Sequence, residues 1–137
     1  METLPMRSPN AVVAVVDDDE AVLDSLLLLL EAAGFDACGY PCGEDLLNAC
    51  APGPDGKDCA GGCCLVLDVH LPGLDGFAIL DAMRERCPQA PVILMTGRSD
   101  GLIRDREMAA GVAPVLEKPL GRGVLVAAVR AALAAHA

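Results

Sequence analysis

The chain alternates short apolar runs with longer stretches of helical periodicity, and it does so five times within 137 residues. This alternation is typical of a parallel sheet, because neighbouring parallel strands must be joined by a long crossover, which is usually a helix. Strands are predicted at residues 12–16, 35–40, 64–67, 92–95 and 115–117, and helices at residues 20–33, 43–51, 76–87, 102–110 and 124–135. We therefore predict an α/β fold in which one five-stranded parallel sheet is flanked by five helices.

Size and composition agree with one domain of this kind. A length of 137 residues corresponds to a single domain. Apolar residues make up 53% of the chain and aromatic residues only 2%, so we expect a core of aliphatic side chains. We predict a flexible leader at residues 1–10, a domain at residues 11–137, and within it an enlarged surface loop at residues 51–64, which are rich in Cys, Gly and Pro.

The net charge limits the classes of partner. Ten basic and twenty acidic residues give a net charge of −10, which repels nucleic-acid backbones and anionic lipid head groups. We expect neither direct nucleic-acid binding nor membrane binding. The apolar run at residues 11–16 is too short for a signal peptide, and no run approaches the roughly 18 residues that span a bilayer. We expect a cytoplasmic protein. Its seven cysteines include no CxxC pair, and we expect them to be reduced and structurally ordinary.

Four consecutive acids follow the first predicted strand, in the stretch VVDDDEAV at residues 15–22. Asp19 and Glu20 are explained by the start of a helix, where carboxylates accept hydrogen bonds from free N–H groups and interact favourably with the helix dipole. A helix start does not explain Asp17 and Asp18. These two acids therefore need another role.

Polar side chains follow four of the five predicted strands. Asp17 and Asp18 follow the first strand, Asp68 the third, Thr96 the fourth and Lys118 the fifth. Ligands of an open parallel sheet bind outside the carboxyl ends of its strands, which meet at one edge. We therefore expect these five side chains to converge on one site.

The chemistry of this set favours a divalent cation and phosphoryl transfer. Two carboxylates about 4 Å apart repel each other by about 1 kcal/mol in water and by more in a partly buried cleft. Mg²⁺, which prefers oxygen ligands, would remove that conflict. A carboxylate beside Mg²⁺ is a competent nucleophile towards phosphorus. We predict Asp68, the central acid, as the nucleophile, with Thr96 as a hydrogen-bond donor and Lys118 as a counter-charge to the phosphoryl group.

The motifs around these residues resemble one family, the receiver domains of two-component response regulators. The matching pieces, in the order and spacing of the family, are VVDD at 15–18, LDVHLPGLDG at 67–76, MTG at 95–97 and EKP at 117–119. The resemblance implies that residues 11–137 are a receiver domain with the flavodoxin-like fold of chemotaxis regulators. It also implies a doubly wound sheet with strand order 2-1-3-4-5.

The resemblance also implies a metal site and a phosphoacceptor. Asp68 corresponds to the phosphorylated residue, and Asp17, Asp18 and Asp68 correspond to the acidic Mg²⁺ pocket. The backbone carbonyl of His70 corresponds to a further Mg²⁺ ligand, so the imidazole itself is expected to be incidental.

Two further positions belong to the conformational response of the family. Thr96 corresponds to the switch hydroxyl and Lys118 to the phosphate-binding lysine, which is followed by a cis peptide bond to Pro119. The family usually carries an aromatic residue two positions before the acid that precedes this lysine. Here that position is Val115. A different or muted response is therefore expected.

The implied function is phosphorelay signalling. By resemblance, a sensor histidine kinase or histidine phosphotransfer protein supplies the phosphoryl group, and the domain signals by protein contact, with no enzymatic activity beyond its own phosphorylation and dephosphorylation.

The run LLLLL at residues 26–30 is hypothesised to form the kinase-docking face or, alternatively, to lie beneath the leader. Residues 124–135 would provide a homodimer face or merely pack. We expect no effector domain within this sequence, and both a stand-alone regulator and part of a longer protein remain open.

Two other functions remain as alternatives. A haloacid-dehalogenase-like phosphatase also places an Asp nucleophile after its first strand, and Asp17 and Asp19 supply the required Asp-x-Asp. It would need an acidic pair after the fourth strand, where MTGRSD stands, and it leaves Asp68 unexplained. A phosphorylation-independent interaction module is suggested by Val115 but is opposed by the costly cluster of charge.

Overall fold

The computed structural model describes residues 12–49, 63–71, 73, 75–86, 90–97, 105–106, 115–121 and 123–135. The strands are β1 (Val12–Val16), β2 (Asp36–Tyr40), β3 (Cys63–Asp68), β4 (Val92–Thr96) and β5 (Leu116–Glu117). The helices within these residues are α1 (Glu20–Ala32), α2 (Gly43–Ala49), α3 (Gly76–Arg86) and α4 (Val124–Ala135). Of the helix predicted at 102–110, only Asp105 and Arg106 are described, and both have helical backbone.

The five strands form one parallel sheet with the order β2-β1-β3-β4-β5. This confirms the predicted fold class and strand order. In the register of the sheet, Val16 lies opposite Leu67, Asp68 opposite Met95 and Thr96 opposite Glu117. The ends of β1, β3, β4 and β5 therefore reach the same edge of the sheet.

Two strands extend one residue further than predicted. Asp68 and Thr96 are the last residues of β3 and β4, whereas the sequence placed them just after strands that ended at residues 67 and 95. The reason is that the ladder continues: the Val69 N–H donates to the Met95 carbonyl at 2.8 Å. Both polar side chains are consequently held by strand geometry.

Each face of the sheet is covered by a helical layer. The buried residues of α2 and α3, among them Leu46 and Leu80, pack with Ala14 and Val16 on one face. The buried residues of α1 and α4 pack on the other face, as Leu26 does with Val13 and Val15. Burial on both faces explains why the central strands are continuous apolar runs.

The beginning of α1 agrees with the sequence prediction. Asp19 is the N-cap, and its Oδ1 accepts hydrogen bonds from the N–H groups of Ala21 at 3.0 Å and Val22 at 3.2 Å. Glu20 is the first helical residue. The helix ends one residue earlier than predicted, and Gly34 follows with φ +97°, a conformation that favours glycine.

Several other predictions lie wholly or largely outside the described residues: the leader at 1–10, nearly all of the loop at 51–64, and the ends of the helices predicted to reach residues 51 and 87. No helix in the described part of the chain has the length and hydropathy that a membrane span requires.

Gly76, the first residue of α3, lies directly against the end of β3. Its N–H donates to the Val69 carbonyl at 3.1 Å. A Cβ at this position would lie 2.6 Å from the Asp68 carbonyl oxygen and 2.9 Å from the Val69 Cα. Both are backbone atoms, so they cannot yield without moving β3 or α3.

We expect the substitution Gly76→Ala to lower the free energy of unfolding by about 1–3 kcal/mol, the usual cost of overpacking. Gly97→Ala is the matched control, since a Cβ there would meet nothing within 4 Å. The midpoints of urea unfolding measure both effects. Equal midpoints for the two variants would contradict the tight contact at Gly76.

Candidate functional site

Three carboxylates meet where β1 and β3 end. One oxygen from each of Asp17, Asp18 and Asp68 lies within 4.8 Å of the others. Asp17 is 0% exposed and Asp68 is 4% exposed, whereas Asp18 faces solvent. The cause is the sheet order, which makes β1 and β3 neighbours although they are distant in sequence. The predicted convergence of these three acids is confirmed.

Lys118 is the counter-charge of this cluster. Its Nζ lies 2.6 Å from Asp17 Oδ2 and 2.8 Å from Asp68 Oδ2. The residue follows β5, and its long side chain reaches back across the end of β4 to the acids. One ammonium thus contacts two buried carboxylates, a detail that the motif spacing does not reveal.

The acids raise the pKa of Lys118 above its ordinary value of 10.5. Partial burial acts in the opposite direction because it disfavours the ammonium. It is outweighed by the hydrogen bonds to Asp17 and Asp68 and by their negative charges. Lys118 is therefore fully protonated at neutral pH.

Backbone N–H groups orient the two buried carboxylates. Asp17 Oδ1 accepts a hydrogen bond from the N–H of Asp19 at 2.9 Å, and Asp68 Oδ1 accepts one from the N–H of His70 at 3.0 Å. Each is a local turn in which an aspartate binds the backbone two residues on. Both carboxylates consequently present Oδ2 to Lys118. The sequence interpretation overlooked these N–H donors, although Asp at the start of a turn is a signal for them.

His70 contributes to this arrangement through its backbone N–H, while the residue itself is exposed. The role of its carbonyl as a metal ligand stays a prediction.

Thr96 lies at the same edge and supports the backbone of Lys118. It is 0% exposed, and its carbonyl accepts a hydrogen bond from the Lys118 N–H at 2.8 Å. The predicted cis peptide bond between Lys118 and Pro119 is present. Val115, at the position where receiver domains usually carry an aromatic residue, is half-buried against the apolar layer of α2 and α3.

The residues of the site fit a divalent cation. Three carboxylates and one ammonium leave two negative charges in excess within a small volume. At the effective dielectric constant of a protein surface, two such charges about 4 Å apart repel each other by about 4 kcal/mol. Carboxylate oxygens are the ligands that Mg²⁺ prefers. The exposed Asp18 leaves one side of the cluster open to solvent.

Asp19 does not take part in this cluster. Its carboxylate serves the N–H groups of α1 instead. The Asp-x-Asp pair that a phosphatase would need is therefore divided between two tasks, with Asp17 in the acidic pocket and Asp19 at the helix start.

We expect Lys118→Met to lower the free energy of unfolding by about 2 kcal/mol at pH 7, because two nearly buried carboxylates lose their ammonium partner. A lysine with a raised pKa contributes fully below its unfolded pKa and loses its contribution as the pH rises through the folded pKa. The difference from wild type should thus be constant from pH 7 to about pH 10 and shrink above about pH 10.5.

Urea unfolding at several pH values measures this difference. Arg130→Met is the control, since it removes a positive charge from an exposed position of α4. A K118M variant that is as stable as R130M at pH 7 would refute the stabilising role of Lys118.

Comparison with known proteins gives the same assignment along most of the chain. The family model for the response regulator receiver domain matches residues 13–130. The transcriptional regulatory protein FixJ of Azorhizobium caulinodans is 37% identical over 132 residues, covering 96% of this chain and 56% of that protein. The C4-dicarboxylate transport transcriptional regulatory protein DctR of Rhodobacter capsulatus is 36% identical over 127 residues, covering 90% and 60%. The chain thus spans little more than half the length of these relatives.

Solved structures agree with this assignment. The BeF3-activated DrrB receiver domain has a TM-score of 0.76 at 30% identity, covering 90% of this chain and 97% of that one. A CheY-like receiver domain protein from Methanospirillum hungatei has a TM-score of 0.79, covering 92% and 95%, and at 21% identity it shows the fold alone. None of these matches favours the phosphatase alternative. The chain belongs to the family of response regulator receiver domains.

Proposed function

We propose that Asp68 accepts a phosphoryl group from a histidine kinase or a histidine phosphotransfer protein in a Mg²⁺-dependent reaction. The observation that carries this proposal is the position of Asp68 at the end of the central strand β3. On one side it has the acids that follow β1, and on the other it contacts Lys118 at 2.8 Å. Receiver domains are signalling domains that work with such kinases and bind Mg²⁺ in an acidic pocket.

The proposed step is a displacement at phosphorus. A carboxylate oxygen of Asp68 attacks the phosphorus atom of a phosphohistidine, the P–N bond breaks, and the imidazole leaves with the electron pair. The product is an acyl phosphate on Asp68. Hydrolysis of that bond returns the carboxylate and inorganic phosphate, and we propose no other enzymatic activity.

The neighbouring side chains stabilise this transfer. Asp17, Asp18 and Asp68, with the carbonyl of His70, would hold Mg²⁺, which offsets the charge of the phosphoryl oxygens when bound. Lys118 already contacts Asp68 Oδ2, so its ammonium needs little movement to reach a phosphoryl oxygen. We assign the hydroxyl of Thr96, which is buried at the end of β4, as a hydrogen-bond donor to the same group.

The first test is the intact mass of the protein after incubation with Mg²⁺ and acetyl phosphate. We expect one phosphoryl adduct on the wild type and none on Asp68→Asn or in the absence of Mg²⁺. Asp24→Asn is the control, because Asp24 is an exposed carboxylate of α1 outside the pocket. An adduct mapped to Asp17 would favour the phosphatase instead. Mg²⁺ binding without any adduct would favour the phosphorylation-independent module or a strict requirement for a partner kinase, and incubation with a phosphorylated histidine kinase separates the two.

The donor histidine is proposed to approach beside α1. A groove of about 600 Å³ lies between this helix and the residues that follow β4 and β5. Ser25 and Leu29 line it on the helix side and Lys118 lines it on the other. The Nζ of Lys118 also contacts Asp17 and Asp68 of the acidic pocket. A phosphohistidine must come within bonding distance of Asp68, and a groove that includes Lys118 offers that approach.

The leucines of the run at residues 26–30 of α1 differ in their exposure to solvent. Leu26 and Leu30 are buried, Leu27 is half-buried against the core, and Leu28 is 67% exposed. Leu28 lies one helical turn from Ser25, which lines the groove. We therefore assign the docking contact to Leu28, whereas a charge at Leu27 would disturb the core.

We expect Leu28→Glu to slow phosphotransfer from a histidine kinase by about tenfold, the loss that corresponds to one apolar contact of about 1.4 kcal/mol. Labelling by acetyl phosphate should be unchanged. Val124→Glu is the control, since Val124 is 42% exposed on α4. Equal kinase-dependent rates in the two variants would show that Leu28 is not part of the docking face.

A further inference from the structure

An arginine outside the acidic pocket holds the residue that precedes α3. Arg106 Nη1 lies 3.1 Å from Asp75 Oδ2, and Nη2 lies 3.5 Å from Asp75 Oδ1. The two residues are 31 positions apart in the chain. Two donors of one guanidinium thus face two oxygens of one carboxylate, the arrangement in which arginine differs from lysine.

A ring contact holds the same guanidinium. Its central carbon lies 4.2 Å from the centroid of the Phe77 ring, and Phe77 is 6% exposed. The side chains of Arg106 and Asp75 are 40% and 34% exposed, so the ion pair alone would contribute little to stability. The aromatic face adds a cation–π contact and restricts the plane of the guanidinium. Arg106 therefore has a defined position over the first turn of α3.

Asp75 also caps α3. Its Oδ1 accepts a hydrogen bond from the Ala78 N–H at 2.9 Å, and its carbonyl accepts one from the Ile79 N–H at 3.0 Å. Partial burial opposes ionisation of the carboxyl group. The Ala78 N–H and the hydrogen bonds and charge of Arg106 outweigh it and hold the pKa of Asp75 below its ordinary 3.8. One ionised carboxylate thus joins Arg106 to the start of the helix.

The start of α3 is in turn in contact with the backbone of the phosphoacceptor. Gly76, next to Asp75, donates its N–H to the Val69 carbonyl at 3.1 Å. A Cβ on Gly76 would lie 2.6 Å from the Asp68 carbonyl oxygen, so no free space separates the two segments. The adjoining His70 N–H orients Asp68 Oδ1. A displacement of Asp75 would therefore move the backbone that aims the Asp68 carboxylate.

We infer that Arg106 is a positioning residue for phosphoryl transfer to Asp68, acting through Asp75 and Gly76 on the backbone of residues 68–70. This inference rests on the proposed function, because it concerns the reactivity of Asp68. Arg106 does not belong to the acidic pocket. It links the helical backbone at residues 105–106 to the start of α3. A change in either segment therefore alters the orientation of the Asp68 carboxylate.

The test is the rate of labelling by acetyl phosphate at saturating Mg²⁺. Arg106→Met removes the guanidinium. Arg106→Lys keeps the positive charge but cannot place two donors of one planar group against both carboxylate oxygens. Asp75→Asn keeps the side-chain oxygen that caps the helix but removes the negative charge. Arg86→Met is the matched control, since Arg86 bonds the Leu47 carbonyl at 2.7 Å from the other end of α3. We expect R106M and D75N each to slow labelling by about tenfold, less than the roughly 100-fold cost of an active-site misplacement of about 1 Å.

Three further results separate positioning from a general loss of stability. The double variant D75N/R106M should label no more slowly than either single variant, because the two side chains act as one unit. The amide resonance of His70 should shift in R106M and D75N but not in R86M, while R106K should label at an intermediate rate.

An R106M variant that labels as fast as R86M, or losses that multiply in the double variant, would overturn the inference while leaving the proposed function intact. A wild-type protein that gains no adduct on Asp68 from either acetyl phosphate or a histidine kinase would overturn the proposed function, and this inference with it.

Discussion

The conflict between buried carboxylates at the ends of β1 and β3 is the constraint on which the rest of the site depends. Asp17 and Asp68 are nearly inaccessible to solvent, and both contact the Nζ of Lys118. Burial of an unpaired charge costs several kcal/mol, so the two acids require that ammonium. The hydrogen bond from the Lys118 N–H to the Thr96 carbonyl fixes the backbone of this lysine, and its side chain reaches back across the end of β4 to the two acids.

The same pairing makes the pocket sensitive to what binds in it. One ammonium serves two acids, and the exposed Asp18 adds a third negative charge that it does not neutralise. A cation between the acids would weaken the hold of Asp17 on Lys118, and a phosphoryl group on Asp68 would offer the lysine new oxygens. Lys118 follows β5 directly, so under the proposed function a change of partner at its Nζ would reach the backbone of that edge strand. Val115, just before β5, has no ring to transmit the change.

Much of the site could be predicted from apolar periodicity and from the positions of polar residues after the apolar runs. Strand ends in a parallel sheet meet at one edge whatever the side chains are, so the meeting of Asp17, Asp18 and Asp68 followed from their positions after apolar runs. Asp19 as a helix cap followed from local hydrogen bonding between residues two and three apart. By contrast, the extent of β3 and β4 depends on the neighbouring strand, which is why Asp68 and Thr96 lie within strands that were expected to end one residue earlier.

What the sequence determined by itself is therefore the fold class, the edge at which the polar groups collect and the helix start at Asp19, because these depend on periodicity and on local contacts. What only the tertiary structure decided is how those groups pair. Two of these pairings join segments that are distant in the chain: Lys118 is shared by two acids, and Arg106 contacts Asp75 and Phe77. Packing also decides that Leu28 is exposed beside the half-buried Leu27. Such contacts leave no periodic pattern, since they depend on side-chain reach across elements that pack together only in the folded sheet.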